Sequence, residues 1–179
     1  MNPVFWLISL YYKMFERELE GRKKLQKLLF LVEHWEKGRI VRSLGLTGYR
    51  FKVYYYGPFS KEVYDDLDLL RKRGLIEEEV VIWTRQPMYK GILVDGYVDD
   101  CEVSGKLWLY KPKVENSIPK NKTTEKMKLI IKEFGGYTPS ELEIKVNRML
   151  KLTPIKKLKF MNKSIDEYLA ISTEGPISS

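Results

Sequence analysis

The sequence predicts an α+β fold that is mostly helical, with a small antiparallel sheet and further helices at its C-terminal end. Three observations support this fold class. Apolar residues recur at helical spacing in the first part of the chain, aromatic and β-branched segments follow, and helical spacing returns after residue 123. With 179 residues, of which 44% are hydrophobic, the chain is long enough to bury a core.

Two helices are predicted at the start of the chain. Asn2 is a suitable N-cap, Pro3 suits the first helical position, and Gly21 is expected to end the first helix. Apolar residues cover more than one face of this helix, so we expect it to be buried on two sides or to pack against a second chain. The second helix is expected over residues 22–36, with Gly38 after it. Its apolar stripe is Leu25, Leu28, Leu29, Val32 and Trp35, and its basic face is Lys23, Lys24 and Lys27.

A strand and a third helix are predicted next. Residues 49–56 are rich in aromatic and β-branched side chains, which favours a strand. The Gly57-Pro58 pair is expected to break this strand sharply. Ser60 is then expected to cap a helix that ends at Arg73.

The rest of the chain is predicted as strands, a linker and helices. Strands are expected over residues 75–84, 91–98 and 107–110, with a turn at Asp99-Asp100. Residues 111–122 contain two prolines and are expected to form a linker. The capping box Thr138-Pro139-Ser140-Glu141 marks the start of a helix. Other helices are expected over 124–134, 155–161 and 164–171.

The order helix, helix, strand, helix and then strands is typical of a winged helix-turn-helix. We therefore predict a winged-helix-like core over residues 1–112. A basic helical extension over residues 113–179 is expected to pack on it.

Two stretches of the sequence resemble a known family. The first is Lys-Leu-Gln-Lys-Leu-Leu-Phe-Leu at 24–31, and the second runs from Tyr49 through Tyr-Gly-Pro-Phe-Ser at 56–60 to Gly-Leu-Ile at 74–76. They resemble the YwgA-like proteins of bacteria and archaea and, more distantly, the Panacea (SocA-like) domain of antitoxins and proteolytic adaptors. The likeness covers roughly residues 22–76 and fades beyond them. It implies a binding module that acts on a partner protein, and it brings no catalytic residues.

The net charge of +8 is unevenly distributed. Residues 1–103 are nearly balanced, residues 104–163 carry 15 basic against 5 acidic side chains, and residues 164–179 carry three acids and no base. Such asymmetry indicates an acidic partner, with nucleic acid first among the candidates. The alternative is a solvated, lysine-rich surface.

The main functional prediction is a non-enzymatic regulator that binds DNA, in preference to RNA, through the basic C-terminal third. The third helix is unsuited to entering a DNA groove, because Asp65, Asp66 and Asp68 would repel phosphate. The predicted nucleic-acid contacts are Lys145, Arg148, Lys151, Lys156, Lys157 and Lys159, with Arg85 and Lys90 assisting from the predicted wing.

The alternative function is an antitoxin- or adaptor-like module that binds a partner protein. The predicted contacts with this partner are Tyr54, Tyr55, Tyr56 and Phe59. The same segment is also explained as a strand-to-helix turn, in which glycine and proline set the backbone. A homodimer through the first helix is a third outcome.

No catalytic site, metal site, cofactor or membrane segment is predicted. His34 is the only histidine and Cys101 the only cysteine, too few for a Cys/His zinc site, and no phosphate-binding loop is present. The aspartates of the third helix are the best acidic cluster, and a solvated helix face is favoured over a metal site there. A single cysteine favours a cytoplasmic location, and the many charges with few glutamines hint at a thermophile.

Overall fold

The computed structural model describes residues 2–84, 104–115 and 117–173, and within these ranges the chain is α+β and mainly helical. The elements are α1 (Pro3–Phe15), β1 (Leu19–Glu20), α2 (Gly21–His34), β2 (Trp35–Glu36), β3 (Arg39–Ile40), β4 (Lys52–Tyr54), β5 (Gly57–Phe59), α3 (Lys61–Lys72), β6 (Ile76–Thr84), β7 (Ser104–Pro112), α4 (Lys122–Phe134), α5 (Pro139–Met149), α6 (Pro154–Lys159) and α7 (Ile165–Thr173). No helix in these ranges is both long enough and apolar enough to cross a bilayer.

The main sheet is three-stranded and antiparallel, with the order β1-β7-β6. Strands β6 and β7 pair along their whole lengths, from Ile76 opposite Pro112 to Thr84 opposite Ser104. Strand β1 adds two residues on the other side of β7. The predicted strand over 75–84 is confirmed. Helix α1, the short strand β1, helix α2, the four short strands β2–β5, helix α3 and the β6–β7 hairpin thus follow one another. The likeness to a winged helix stays a prediction.

The second strand of the hairpin is longer than the sequence indicates. The pattern predicts a strand over residues 107–110, whereas β7 extends over 104–112, so the first two residues of the expected linker pair with β6. The expected strand at 91–98 and the turn at Asp99-Asp100 lie outside the described residues.

Helix α2 runs through the middle of the core. It packs against α1, α4 and α5 as well as the sheet and β5. Its expected apolar stripe is buried, apart from the half-buried Trp35, which lies beyond the helix in β2. The expected basic face is wrong, because Lys24 and Lys27 are 0% and 2% exposed. Both ammonium groups are retained in the core by hydrogen bonds.

The first helix ends earlier than expected. Glu16 takes the left-handed conformation, with a φ of 53°, and its N–H donates to the carbonyl of Tyr12. Gly21 does not end this helix and instead begins α2, with a φ of 81°. The N-terminal prediction is confirmed, since Asn2 Oδ1 accepts from the second and third residues of α1.

The predicted long strand at 49–56 is also wrong in its extent. Only Lys52–Tyr54 forms a strand, β4. Gly57-Pro58 does not end the strand structure but belongs to β5, which pairs antiparallel with β4. Pro58 lies opposite Val53, where a missing N–H would be costly. Val53 instead directs its N–H to the carbonyl of Lys163 and accepts from Asn162.

The C-terminal helices pack on the same core as the N-terminal elements. The buried side chains of α4, α5 and α7 belong to one cluster with those of α1 and α2. The capping box at Thr138 is confirmed, and α4 begins with a second one, between Asn121 and Thr124. The last two helices lie at 154–159 and 165–173, close to the expected ranges. A division of the chain at residue 112 stays a prediction.

Candidate partner-binding surface

The β4–β5 hairpin is fastened to α2 by buried polar side chains. Gln26 Nε2 donates to the carbonyl of Ser60 at 2.7 Å, and the Ser60 N–H donates to Gln26 Oε1 at 3.0 Å. Lys27 Nζ donates to the carbonyl of Pro58 at 2.7 Å. The Lys-Leu-Gln-Lys and Tyr-Gly-Pro-Phe-Ser segments of the sequence therefore bind each other.

Lys27 is held in an environment that disfavours its charge. Burial lowers the pKa of Lys27 to about 7. Glu143 opposes this shift, whereas the ammonium groups of Lys23 and Lys157 add to it. The amine therefore loses its proton near neutral pH and keeps a donor for the Pro58 carbonyl in either state.

Helix α5 packs closely against the backbone of the hairpin at Gly57. Gly57 has a φ of +92°, and a Cβ at this position would lie 2.1 Å from Asn147 Oδ1. Only glycine meets both requirements, a positive φ and a close approach. Asn147 Oδ1 is buried and has no hydrogen-bond partner in the described part of the chain.

Substituting Gly57→Ala is therefore expected to lower the free energy of unfolding by about 3 kcal/mol, from backbone strain together with the clash at Asn147. Gly48→Ala is the matched control, because Gly48 also has a positive φ, but a Cβ added there would meet no atom within 4 Å. Urea denaturation of both variants measures the difference. Equal losses in the two variants would show that the approach of Asn147 has no energetic weight.

The hairpin presents aromatic rings to solvent. Tyr55 and Tyr56 are each 62% exposed, and Tyr54 is 36% exposed. Tyr54 stacks on Phe59 with ring centroids 5.1 Å apart, and Phe59 meets Tyr64 of α3 edge-on at the same distance. We name the set Tyr54, Tyr55, Tyr56, Phe59 and Tyr64 the aromatic surface.

Two cations border the aromatic surface. The Arg22 guanidinium lies 5.9 Å from the ring centroid of Tyr64 and 5.1 Å from that of Trp108 on β7. Lys23 Nζ lies 4.8 Å from the ring centroid of Tyr56. These cation–π contacts connect the hairpin to the sheet and favour fixed positions for the rings.

The structure brings the four predicted partner contacts together and adds two residues that sequence patterns did not single out. Tyr64 lies within the stretch that carries the family resemblance, and its place one helical turn into α3 was a usable signal. Trp108 had no such signal. Its position depends on the pairing of β6 with β7, in which it lies opposite Val80.

The predicted nucleic-acid contacts lie on α5, on the turn after it and on α6. Within the described ranges none of the six cations forms a salt bridge, although Lys145 packs on the ring of Tyr137. Helix α6 also exposes Ile155 and Leu158, so this region is amphipathic as well as basic. Arg85 and Lys90 lie outside the described residues. The nucleic-acid role of the set stays a prediction.

The acidic cluster of α3 consists of side chains that already have partners. Asp65 pairs with Lys61, and Asp68 pairs with Arg71 and Lys72. The Tyr49 hydroxyl donates to Asp66 at 2.6 Å. In the ranges that the structure describes, no three metal-ligating side chains converge.

His34 has a structural environment at the end of α2. It is buried and stacks on Phe30 with ring centroids 4.9 Å apart, and its Nδ1 lies 3.0 Å from the carbonyl oxygen of Val41. Burial lowers the pKa of His34, which favours the neutral ring despite the nearby Asp166. Cys101 lies outside the described residues.

Comparison with known proteins identifies the family. The family model described as antitoxin SocA-like, Panacea domain matches residues 25–149. No curated protein and no solved structure gives a significant match. The match confirms the Panacea resemblance and extends it well past residue 76, where the sequence likeness was expected to fade. The narrower likeness to YwgA-like proteins stays a prediction. Because the match covers more than half of the chain, this protein belongs to the antitoxin SocA-like Panacea domain family.

Proposed function

We propose that this protein is a non-enzymatic, antitoxin- or adaptor-like module that binds a partner protein through the aromatic surface. The observation that carries the proposal is the exposure of Tyr55 and Tyr56 on the β4–β5 hairpin. The backbone of this hairpin is held in place by hydrogen bonds from Gln26 and Lys27 of α2. Membership of an antitoxin-like family supports a protein as the partner.

Binding through the aromatic surface requires little additional ordering of the chain. A tyrosine contributes a large contact area and has few rotatable bonds, so its immobilisation on binding costs little entropy. The backbone of this hairpin is already ordered in the free protein, which reduces the remaining cost of association. Tyrosine, tryptophan and arginine are also enriched among the residues that dominate binding energies. Arg22 contacts Tyr64 of the aromatic surface and also Trp108, so an arginine and a tryptophan lie beside the tyrosines.

DNA binding through the cations of α5 and α6 is the competing function. It is favoured by the lack of salt bridges at these cations in the described part of the protein. Family membership favours the protein-binding function over it.

The variant Tyr55→Ala/Tyr56→Ala is expected to weaken partner binding by on the order of tenfold or more, because two central aromatic contacts are removed. Proteins from the source cells are cross-linked to the immobilised chain, the most enriched one is purified, and its Kd for each variant is measured by calorimetry. Leu129→Ala is the matched control, since Leu129 is a similarly exposed apolar residue on α4.

A third variant separates the two functions. Lys156→Glu/Lys157→Glu/Lys159→Glu is expected to leave the affinity for the partner protein within about twofold of the wild type. Fluorescence anisotropy with a labelled DNA duplex provides the second readout, because phosphate contacts make binding depend steeply on salt. Loss of the partner protein in the lysine variant, with retention in the tyrosine variant, would refute the aromatic surface as the binding site.

A further inference from the structure

A groove separate from the aromatic surface lies along the C-terminal half of α1. It has a volume of about 1180 Å³. One wall is formed by residues 9–10, 12–14 and 16 of the chain, and the other by residues 112–115 and 117–120. We name it the α1 groove.

The α1 groove contains apolar side chains that remain in contact with water. Tyr12, Met14 and Val114 are exposed, while Leu10 and Ile118 lie deeper and join the core. Apolar side chains clustered in a concave site are typical of a binding site rather than of a solvated surface.

The rim of the α1 groove is basic. Lys13, Lys113 and Lys120 line it, and in the ranges described none of their ammonium groups forms a salt bridge. A fourth lysine of the lining, Lys128, is paired with Glu125. Only two acids, Glu16 and Glu115, belong to the lining. The free positive charge therefore exceeds the negative charge around the apolar wall.

We propose that the α1 groove binds an acidic, amphipathic segment of a partner protein. Apolar side chains of that segment contact Tyr12, Met14 and Val114, and its carboxylates face Lys13, Lys113 and Lys120. A protein segment is favoured over nucleic acid, because a phosphate backbone would leave the apolar wall of Tyr12, Met14 and Val114 uncovered. This contact is additional to the aromatic surface, and its existence does not depend on that surface.

The test is a selection of random twelve-residue peptides displayed on phage against the full chain, followed by counter-selection on the variant Lys13→Glu/Lys113→Glu/Lys120→Glu. All three lysines are exposed, so the variant is expected to fold. The surviving peptides are expected to combine aspartate or glutamate with regularly spaced leucine, isoleucine, phenylalanine or tryptophan. The best peptide is then labelled, and its Kd is measured by fluorescence anisotropy at two salt concentrations.

The expected result is a loss of affinity of tenfold or more in the lysine variant and in Met14→Ser, together with weaker binding at the higher salt concentration. Lys156→Glu/Lys157→Glu controls for a general loss of basic charge and is expected to bind like the wild type. Tyr55→Ala/Tyr56→Ala is also expected to bind like the wild type, so that a failure of the aromatic surface is distinguishable from a failure of the groove. Selected peptides without acidic residues, equal affinity for the lysine variant, or a labelled oligonucleotide that binds through the same three lysines would each overturn the proposal.

Discussion

Replacing Glu33 by Gln is expected to lower the free energy of unfolding by about 4 kcal/mol, because the substitution turns an acceptor into a donor at a site filled with donors. Glu33 lies near the end of α2 and is fully buried. The hydroxyl groups of Ser43 and Thr47 each donate to it at 2.6 Å, and the Thr47 N–H donates at 2.7 Å. The N–H groups of Gly45 and Leu46 also donate to this carboxylate.

The pKa of Glu33 gives this prediction a dependence on pH. Burial acts to raise the pKa, but the hydrogen bonds from Ser43, Thr47 and Gly45 outweigh it and lower the pKa below the ordinary value of 4.5. A carboxylate with a lowered pKa in the folded state contributes stability above its unfolded pKa and loses that contribution as the pH falls through the folded pKa. The difference between Glu33→Gln and the wild type is therefore expected to be constant above about pH 5 and to shrink in acid.

Urea denaturation at several pH values measures this difference. Glu36→Gln is the matched control, since Glu36 is an exposed acid just beyond the same helix, and it is expected to change the free energy of unfolding by less than about 0.5 kcal/mol. A loss in Glu33→Gln as small as that of the control would show that the loop at 43–47 does not depend on this carboxylate.

Lys27 is expected to make the protein more stable as the pH rises above neutrality. Its pKa is about 7 in the folded state, against 10.5 for an unperturbed lysine, so between these values the unfolded chain binds a proton that the folded chain does not. The free energy of unfolding therefore rises with pH by up to about 1.4 kcal/mol per unit. Between about pH 7.5 and 9.5 this amounts to roughly 2.5 kcal/mol.

The variant Lys27→Met is expected to remove this rise, because its side chain has no proton to lose. Urea denaturation over the same pH interval measures the slopes, and this window lies below the raised pKa values of Tyr49 and Tyr110. Lys52→Met is the control at an exposed lysine and is expected to keep the wild-type slope. If Lys27→Met kept it too, another group would have to be the source of the pH dependence.

Helical periodicity predicts which helices form but not what surrounds them. It assigns Lys24 and Lys27 to a basic face, because it counts them as polar whether or not their ammonium groups have partners. In the structure Lys24 donates to Tyr11 and Glu20, while Lys27 donates to a backbone carbonyl. The partners of Lys24 and Lys27 come from other elements of the chain, so the hydrophobic pattern of α2 alone does not contain them.

The aromatic surface is likewise predictable only in part from the sequence. Composition alone singles out the tyrosines at 54–56, and they are exposed on the hairpin. It does not reveal the hairpin itself, because Gly-Pro is usually a strand breaker. Here Gly57 supplies a positive φ, and the N–H of Asn162 donates to the Val53 carbonyl, which Pro58 cannot do. The contribution of Trp108 depends on strand register, which local patterns do not specify.

The position of β6 at the border of the main sheet has a consequence for how copies of this protein behave at high concentration. In the described part of the chain no strand pairs with its outer side, and an unpaired strand is a template for aggregation. Glu77 and Glu79 are exposed on one face of β6. A second copy that paired with this border in parallel and in register would bring Glu77 and Glu79 next to the same carboxylates of its neighbour, and their repulsion opposes growth of the sheet from molecule to molecule. The acidic run at the start of β6 thus opposes the in-register stacking of copies that fibril growth requires.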